Sequence, residues 1–484
     1  MAKVVVLGAG VAGHTAVSFL KQRLGKKHEV IVVTPNSKYN WIPSNIWVGV
    51  GIMKPEDVTF ELAPVYKKKN ITYKQARAVD IHPEGGADEA NPYVTIEYTE
   101  EGRSGETENV AYDYLINATG PKLNFSATPG LGPEGNSHSV CTWGHAVDAA
   151  VALKVSIEKM KKGERQKFLI GTGHGMATCQ GAAFEYLFNI ESELRQHGVR
   201  DMADMTWISN EYELGDFGMG GMHLKRGGYI THSKVFTESL FTERGVRWIT
   251  RAHVIGVDPG KVCYETLTGE DYEEEFDFAM LIPPFSGVGL KGIDKSGQEI
   301  TGDMFNPAGF MFVDGNYTAK PYEEWDAADW PRNYQSKGYP NIFAAGIAFA
   351  PPHPISKPMK SPAGTPIFPT PPRTGMPSAM IGKAVAMSIA DMLEGAKETT
   401  HTASMAEMGA ACVASAGAGF FKGTAVSMTV FPIIPDYTRF PVYGRDMDYT
   451  TGEIGLAGHW IKYILHRLFI WKAKLKFGWS LIPE

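Results

Sequence analysis

Cysteine is scarce in this chain, and its spacing argues against two common kinds of structural cross-link. The 484 residues include 4 cysteines, and these form neither a C-x-x-C pair nor a Cys/His cluster with zinc spacing. Small secreted domains that rely on disulfides have many closely spaced cysteines, so we expect no disulfide scaffold. A structural zinc ion needs about four closely spaced ligands, so we also predict no metal site.

Long apolar runs and a strong charge bias are missing as well. The chain lacks the run of roughly 18 uncharged apolar residues that a membrane-spanning helix requires. The opening segment MAKVVVLGAG enters a strand directly, without the basic and apolar regions of a secretory signal. A net charge of -6 offers no general attraction to nucleic acid, so we expect no nucleic-acid partner. The length instead predicts two or three folded domains.

A glycine-rich motif near the N-terminus indicates a nucleotide site. It follows the apolar run Val4–Leu7 and opens a stretch with helical periodicity, and a second strand is expected at Glu29–Val33. This pattern is typical of a βαβ unit in a parallel sheet. Glycines at the turn let the backbone approach a pyrophosphate at the positive end of the helix. We therefore predict a dinucleotide site at Gly8-Ala9-Gly10-Val11-Ala12-Gly13, with Gly8, Gly10, Ala12 and Gly13 as its contacts.

Other positions favour FAD over NAD as the ligand of this first site. The acidic residue that usually binds a ribose after the second strand is absent, so the hydroxyl of Thr34 or the amide of Asn36 would have to serve. The strand end Ala118-Thr119-Gly120 is common in flavoproteins with two dinucleotide-binding domains. Asn341–Gly346 is similar to their late flavin-contacting strand, although Ile347 replaces the usual Asp.

A second glycine motif lies further along the chain but is incomplete. The segment Gly171-Thr172-Gly173-His174-Gly175-Met176 follows the expected strand Lys167–Ile170, and Met176 occupies the third glycine position, where it would crowd a pyrophosphate. Cys179 stands just before the expected helix Gln180–Gln196, and a helix N-terminus lowers the pKa of a thiol. We interpret Cys179 as a redox cysteine that replaces a nicotinamide; the alternative is a buried structural cysteine.

Taken together, these segments resemble the sulfide:quinone oxidoreductases, and the resemblance runs nearly from end to end. The segments that carry it are Trp41–Gly51, Ala118–Leu123, Cys141–Ala146, Phe343–Ala348 and Pro372–Gly375, where Arg373 replaces the family's Lys. The resemblance implies an α/β fold with two Rossmann-like nucleotide-binding domains, like that of glutathione reductase, and a C-terminal membrane-associating region. The implied bounds are 1–150 with 290–395 for the FAD-binding domain, 151–289 for the second domain with its degenerate NAD site, and 396–484 for the C-terminal region.

The resemblance also implies site residues. Besides the positions of the first motif and Thr34, it gives FAD contacts at Pro43, Ser44, Ala78, Ala118, Thr119, Gly120, Gly346, Ile347, Arg373, Thr374 and Gly375. Cys179 and Cys412 match the family's redox pair, and Cys141 matches a third cysteine linked to flavin attachment or sulfur handling. Cys263 matches nothing and is interpreted as structural.

The implied reaction is oxidation of sulfide by a membrane quinone. Hydrosulfide attacks a disulfide or sulfur-bridged pair of Cys179 and Cys412 and leaves a persulfide, and two electrons pass through FAD to the quinone. Repeated cycles build a polysulfide. Glu185 could move protons or could be a solvated helix residue, and His145 could carry protons or be structural.

The chain departs from the family pattern at two positions. Asp216 stands where the family has a histidine in a glycine-rich loop, and Val413 stands where an aromatic often follows the second redox cysteine. An aromatic contact to the quinone would then have to come from Phe420, Phe421 or the C-terminal segment.

The C-terminal segment from Trp460 to Trp479, WIKYILHRLFIWKAKLKFGW, is cationic and rich in tryptophan. Such a composition is typical of a helix that lies in a bilayer interface, whereas an ordinary packed helix is the alternative. We expect peripheral, monotopic attachment to the cytoplasmic membrane, on a side that the sequence leaves open. It also leaves open whether the chain forms a homo-oligomer.

Three other functions share parts of this pattern. A flavocytochrome-type sulfide dehydrogenase subunit is disfavoured by the cationic C-terminal segment, and a type-two NADH:quinone oxidoreductase by the incomplete second motif. A non-catalytic flavin-binding protein would have no need of both Cys179 and Cys412.

Overall fold

The structure is a computed structural model that describes residues 1–87, 89–372, 374–417, 421 and 423–484. Strands and helices are numbered here along the chain. The largest sheet is built around an apolar N-terminal strand whose valines are completely buried. In spatial order this sheet contains β21 (Ile342–Ala344), β8 (Tyr114–Asn117), β1 (Lys3–Leu7), β2 (Glu29–Thr34), β5 (Thr72–His82), β6 (Tyr93–Tyr98) and β7 (Thr107–Ala111), with β20 (Lys291–Gly292) beside β5.

Strand β1 runs parallel to both β2 and β8, and β21 runs parallel to β8. The late strand β21 therefore completes a sheet that the first residues of the chain begin. Because parallel strands buried on both sides read as continuous apolar runs, the sequences VVVL and VIVV were sufficient to predict β1 and β2. Their carboxyl ends meet at one edge, which is the usual place for a nucleotide in such a sheet.

A second parallel sheet lies in the middle of the chain. It contains β14 (Val246–Ile249), β11 (Ala203–Ile208), β10 (Gln166–Thr172) and β18 (Phe278–Ile282) in that order. Smaller units accompany it: β15 (Ala252–Asp258), β16 (Lys261–Thr266) and β17 (Asp271–Glu275) form an antiparallel sheet, β9 (Lys122–Leu123) pairs with β19 (Phe285–Ser286), and β3 (Lys38–Asn40) pairs with β4 (Thr59–Glu61).

The C-terminal strands join a hairpin from the middle of the chain in a further sheet. Its order is β13 (Tyr229–His232), β12 (His223–Arg226), β24 (Thr451–Gly455), β23 (Thr424–Val430) and β22 (Ala410–Ala416). Residues that are far apart in sequence thus share one surface.

The helices cover these sheets. They are α1 (Val11–Leu24), α2 (Asn45–Gly49), α3 (Pro55–Val58), α4 (Leu62–Lys68), α5 (Trp143–Lys161), α6 (Gln180–Gln196), α7 (Ser233–Glu243), α8 (Thr301–Met304), α9 (Gly375–Leu393) and α10 (Leu456–Ala473). The α/β fold class with two Rossmann-like sheets, as predicted from the two glycine motifs, is confirmed. Among the described residues, no helix is both long and apolar enough to cross a membrane.

The C-terminal helix differs in detail from the prediction. It begins at Leu456 and ends at Ala473, and a short 3-10 turn, Trp479–Leu481, follows. Two of its cations do not lie at a solvent or lipid boundary. Lys472 is buried and forms an ion pair with Glu484, while Lys462 points into the protein. The helix therefore has a polar inner stripe and an apolar outer stripe.

Candidate active site

The first glycine motif forms a tight turn at the carboxyl end of β1. Gly8 has φ +99°, and a Cβ at this position would lie 2.2 Å from the carbonyl oxygen of Ala118. A Cβ on Gly13 would lie 2.0 Å from the carbonyl oxygen of Gly8. Gly10 is different, because a Cβ there would meet no protein atom within 4 Å. The turn is therefore closed on the protein side and open at Gly10.

Gly10 is also the N-cap residue of α1, and no side chain caps this helix. The first amide groups of α1 thus face open space at the positive end of the helix dipole. An uncapped helix N-terminus with a glycine that leaves room for a ligand fits the pyrophosphate of a dinucleotide.

Other predicted FAD contacts gather at the same edge. Gly346 packs against Ala12, whose Cβ would lie 2.6 Å from a Cβ on Gly346. Gly346, Ile347 and Thr374 line one cavity. Pro43 approaches Gly375, with its Cγ 3.9 Å from the position of a Cβ there. Arg373 lies outside the described residues.

The remaining predicted contacts lie in strands of the first sheet or just after them. Thr34 is buried at the end of β2, and Ala78 lies in β5 just beyond Gln75, the residue that pairs with Thr34. Thr119 donates a hydrogen bond from its hydroxyl to Asn117 Oδ1 (2.8 Å), and Gly120 has φ +71°. These residues fit a cofactor that spans the edge of the first sheet, as FAD would.

Ser44 has a different contact from the one expected. Its hydroxyl forms a 2.9 Å hydrogen bond with Nδ1 of His466 on α10. Ser44 therefore joins the predicted flavin region to the C-terminal helix. Its role as an FAD contact stays a prediction.

The second glycine motif is occupied by the chain itself. Gly175 donates its amide to Nδ1 of His253 (2.8 Å), and Met176 donates its amide to Nδ1 of His174 (3.0 Å). The carbonyl of Gly175 accepts a hydrogen bond from the amide of Phe368 (2.9 Å). The amides that would hold a pyrophosphate are therefore already used.

The segment that contains Phe368 also fills the space beside this motif. A Cβ on Gly175 would lie 2.3 Å from the carbonyl oxygen of Pro366, and one on Gly173 would lie 2.5 Å from Leu131. The segment before α9 that contains Pro366 and Phe368 thus packs into the cleft, which the glycine motif did not reveal. This arrangement argues against a bound nicotinamide nucleotide. Crowding by the Met176 side chain stays a prediction.

Cys179 occupies the N-cap position of α6 with a left-handed backbone, φ +66°. This conformation is uncommon for a non-glycine residue and is found where the surroundings impose it, often at functional sites. Thr178 on one side donates a hydrogen bond to the carbonyl of Pro371 (3.0 Å), and Gln180 on the other donates one to Asn210 (2.9 Å). Neighbouring contacts thus hold Cys179 at the start of the helix.

Cys412 lies on β22, directly beside the first turn of α6. Its sulfur is 3.2 Å from the position of a Cβ on Gly181, which is two residues after Cys179. A Cβ at this position would press on the thiol, so the glycine gives the sulfur room at this contact. The fold therefore brings the regions of the two predicted redox cysteines together, although a long stretch of chain separates them.

Glu185 lies next to Cys412 and is paired with Lys462. The Lys462 ammonium donates hydrogen bonds to Glu185 Oε1 and to the carbonyl of Val413 (2.9 Å). The Ser415 amide donates a third hydrogen bond, to Glu185 Oε1 (3.3 Å). The two charged side chains are only 7% and 13% exposed, so Glu185 is not the solvated helix residue that the sequence left open.

Burial changes the acidity of these groups. It raises the pKa of Glu185, and the positive charge of Lys462 opposes this rise. Burial, together with the negative charge of Glu185, raises the pKa of the Cys412 thiol to about 11, and Lys462 again acts in the opposite direction. Cys412 is therefore protonated at neutral pH in this state, and its charge depends on the Glu185–Lys462 pair.

The other two cysteines lie elsewhere. Cys141 precedes α5. Burial raises the pKa of its thiol, and its amide donates a hydrogen bond to the Ser139 hydroxyl (3.1 Å). Cys263 is a half-buried residue of β16, 4.0 Å from Glu273 Oε1. Its position in a peripheral sheet agrees with a structural role.

His145 lies in the first turn of α5, with its ring edge-on to Phe125 at 5.9 Å. Among the described residues its buried Nδ1 has no hydrogen-bond partner, and burial lowers the pKa of the imidazole. A neutral ring in this setting permits either role that the sequence left open.

Asp216, which departs from the family pattern, organises its own loop. Its Oδ1 accepts hydrogen bonds from the amides of Gly218 (2.9 Å) and Gly220 (3.3 Å) and from the hydroxyl of Ser356 (2.5 Å). Burial raises the pKa of Asp216.

Of the aromatic residues considered for a quinone contact, Phe421 is exposed, and Phe420 lies outside the described residues.

Sequence reasoning missed the inner stripe of α10. His459, Lys462 and His466 have the spacing of one helix face, and His459 forms a 2.6 Å hydrogen bond with the Ser415 hydroxyl. This spacing was a signal that the polar face of the helix points inward. The cationic composition of the segment indicated a bilayer contact instead.

Comparisons with known proteins agree with this geometry. The pyridine nucleotide-disulphide oxidoreductase family matches residues 2–174. The chain is a flavoprotein of this class. It has two Rossmann-like sheets, an open first glycine motif and a cysteine just after the second glycine motif. A solved structure of an NDH2 from Plasmodium falciparum shares the fold at 14% identity, with a TM-score of 0.63 over 98% of this chain and 96% of that one.

One group of relatives is much more similar. A sulfide-quinone reductase of Aquifex aeolicus is 30% identical over 477 residues, which is 98% of this chain and 92% of that protein. The solved structure of the sulfide:quinone oxidoreductase from Aquifex aeolicus superposes with a TM-score of 0.75 at 28% identity, over 98% of this chain and 92% of that one. The chain belongs to the sulfide-quinone reductase family.

The open position at Gly10 can be tested with a pair of substitutions. We expect Gly10→Ala to weaken FAD binding at least about tenfold, because the new methyl group occupies ligand space, while it costs the protein less than about 1 kcal/mol. Gly8→Ala should instead destabilise the fold by about 1–3 kcal/mol from backbone strain alone. Thermal unfolding at increasing FAD concentrations separates the two effects. Wild-type FAD affinity in Gly10→Ala would contradict the assignment.

The electrostatics around Cys412 can be tested by alkylation. Removal of the negative charge in Glu185→Gln should lower the pKa of the Cys412 thiol below its value of about 11, and Lys462→Met should raise it. The pH midpoint for iodoacetamide labelling of Cys412 should therefore fall in the first variant and rise in the second. Glu193→Gln on the same helix is the matched control. Identical midpoints in all three variants would refute the coupling.

Proposed function

We propose that this protein oxidises hydrogen sulfide with a cysteine pair and FAD and transfers two electrons to a membrane quinone. The observation that carries this proposal is the contact of Cys412 with Gly181, which puts the second predicted redox cysteine at the helix start where Cys179 lies. The sequence family supplies the substrate class, since the Aquifex aeolicus relative is named a sulfide-quinone reductase.

The cysteines perform the sulfur chemistry by thiol exchange. Hydrosulfide attacks one sulfur of an oxidised Cys179/Cys412 pair; a new sulfur–sulfur bond forms, the old one breaks, and one cysteine leaves as a thiolate. FAD, when bound, would supply a two-electron acceptor: as the thiolate and the persulfide sulfur rejoin in a new sulfur–sulfur bond and the persulfide loses its proton, two electrons would pass to the flavin and on to the quinone. The sulfur then stays in a bridge between the two cysteines, where hydrosulfide attacks again and further cycles lengthen it.

Glu185 and Lys462 control the charge of Cys412 in this scheme. A buried thiol with a raised pKa is a poor nucleophile until it loses its proton. Lys462 stabilises a thiolate beside it, and Glu185 can hold the proton that leaves, since burial raises its own pKa. We assign them as positioning and proton-holding groups.

Two alternatives fit less well. An NADH:quinone oxidoreductase needs a pyrophosphate site at the second glycine motif, where His253, His174 and Phe368 use the backbone groups. A soluble subunit that passes electrons to a cytochrome has no evident need of the apolar outer surface of α10.

That outer surface supports attachment to a bilayer. The exposed apolar side chains of the C-terminal segment lie along one side of α10 and in the residues after it. They are Ile461, Ile464, Leu465, Leu468, Trp471, Phe477 and Leu481. Apolar patches of this kind mark membrane or protein contacts. A quinone arrives from lipid, so we propose that this face lies on the membrane that holds the quinone.

The redox roles can be tested with cysteine substitutions. We expect sulfide to bleach the flavin of the wild-type protein without oxygen, and a short-chain quinone to restore its absorbance. Cys179→Ser and Cys412→Ser should each lower the rate of sulfide-dependent quinone reduction at least about 100-fold, because each removes a sulfur of the reacting pair, while FAD stays bound. Stopped-flow absorbance measures both half-reactions.

Cys263→Ser is the matched control and should keep the wild-type rate. Normal turnover in Cys179→Ser or Cys412→Ser would rule out the proposed mechanism. Rapid bleaching by NADH, with no response to sulfide, would instead favour the NADH oxidoreductase.

The membrane contact can be tested with charged substitutions on α10. Ile464→Glu/Leu468→Glu should weaken binding to anionic vesicles at least about 100-fold, since burial of each such side chain contributes about 1.5–3 kcal/mol. Vesicle flotation measures the bound fraction. Val151→Glu/Val155→Glu makes the same change at the same spacing on exposed positions of α5 and should bind normally. Equal loss of binding in both variants would contradict the assignment to α10.

A further inference from the structure

A cavity of about 300 Å³ lies between α6, the end of α7 and the hairpin of β22 and β23. This volume is within the range of small-molecule sites. Both apolar and charged side chains line it. The residues that the argument uses are Phe188, Ser192, Arg195, Arg244, Ala414 and Ala416.

The strand that carries Cys412 continues into this cavity. Alternate residues of a strand point to the same face, so Cys412, Ala414 and Ala416 share one face of β22. Ala414 and Ala416 line the cavity, together with their cross-strand partners Val426 and Thr424 on β23. Ala414 is only about 7 Å along the strand from Cys412.

The helix that faces Cys412 also continues into the cavity. Gly181 contacts the sulfur of Cys412, and Phe188, Ser192 and Arg195 follow it at about two, three and four helical turns. They therefore lie on the stripe of α6 that Gly181 begins. Asn189 keeps helix and strand together further along, since its amide donates a 2.8 Å hydrogen bond to the carbonyl of Ser415. One seam thus leads from the thiol to the cavity.

Two arginines supply positive charge at the mouth. Arg195 pairs with Glu191, and Arg244 pairs with Glu243 (2.8 Å) and lies 4.0 Å from Glu191. The guanidinium of Arg244 lies over the ring of Phe188 at 4.8 Å. A guanidinium has five N–H donors, so these contacts leave donors for an anion. The cavity thus combines apolar side chains with two arginines, whose partner carboxylates Glu191 and Glu243 also line it.

The cavity lies on the side of β22 opposite to α10. Ser415, on the other face of the strand, contacts His459 of α10. A Cβ on Gly458 would likewise lie 3.0 Å from Ala425, the residue that pairs with Ser415. The apolar outer surface of α10 is therefore separated from the cavity by the sheet, which favours a ligand from water over one from lipid.

We propose that this cavity binds a polysulfide anion, the product that the cysteine pair releases. The assignment rests on the proposed function. A sulfur chain is apolar and polarisable along its length and carries negative charge at its ends. The alanines and Phe188 contact the chain, and Arg195 and Arg244 bind its anionic end. The seam from Cys412 lets the chain lengthen into the cavity instead of stopping at the cysteines.

The first test measures the length of the product. The FAD-loaded enzyme turns over sulfide with a short-chain quinone, and the products are trapped by alkylation and measured by mass spectrometry. Arg195→Gln and Ser192→Met should shift the products to shorter chains, while the first flavin reduction by sulfide keeps its wild-type rate. Arg165→Gln is the matched control, because Arg165 and Arg195 are both 57% exposed and ion-paired. Unchanged chain lengths in both cavity variants would overturn the proposal.

The second test does not need turnover. Inorganic tetrasulfide is titrated calorimetrically into a variant with all four cysteines replaced by serine, which prevents thiol exchange with the probe. We expect Arg195→Gln in this background to weaken binding at least about tenfold, and sulfate to compete poorly because it has no apolar chain. Equal affinity with and without Arg195, or equal competition by sulfate, would overturn the assignment.

The two tests separate this inference from the proposed function. If the wild-type enzyme fails to oxidise sulfide, the proposed function is wrong, and the tetrasulfide titration still decides what the cavity binds. If Ser192→Met raises the KM for quinone and leaves the chain length unchanged, the cavity holds quinone, and the polysulfide assignment is wrong.

Discussion

Lys462 lies on α10, Glu185 on α6, and their buried ion pair joins the two helices across the end of β22. Lys462 also donates a hydrogen bond to the carbonyl of Val413, so one ammonium group connects three segments that are remote in sequence. Breaking such a pair leaves an uncompensated charge in the interior and costs about 3–5 kcal/mol. Three features depend on this ion pair. They are the position of Cys412, the packing of the C-terminal helix and the seam between α6 and β22.

The two glycine motifs illustrate how one sequence pattern leads to opposite outcomes. At the first motif, Gly8 and Gly13 are packed against the backbone, whereas Gly10 faces open space before an uncapped helix. At the second motif, His253 and Phe368 engage the backbone of Gly175. A site that in related folds takes a nucleotide is thus closed by the protein's own side chains and loop. Closure there leaves Cys179, the proposed redox cysteine, at the helix start.

The C-terminal sheet separates two environments. One face of β22 presents Cys412 towards α6, and the other presents Ser415 towards α10. Sulfide and its products are water-borne anions, whereas a quinone is delivered from lipid. In the proposed function, a sheet between the two would keep the sulfur chemistry away from the apolar surface of α10, and FAD bound at the first glycine motif would connect them.

Much of the fold followed from local pattern. The apolar runs of β1 and β2 and the glycines at 8, 10 and 13 each predicted their own structure, because strand burial and turn geometry act over a few residues. The candidate site was only partly predictable, since the pairing of Cys179 with Cys412 came from family resemblance. The sequence by itself determined which segments are strands, helices and nucleotide turns. Only the tertiary structure decided that Lys462 points inward to Glu185, that His253 and Phe368 close the second motif, and that a cavity lies further along β22 from Cys412. Each of these depends on contacts between segments that are remote in sequence, and no local periodicity specifies such contacts.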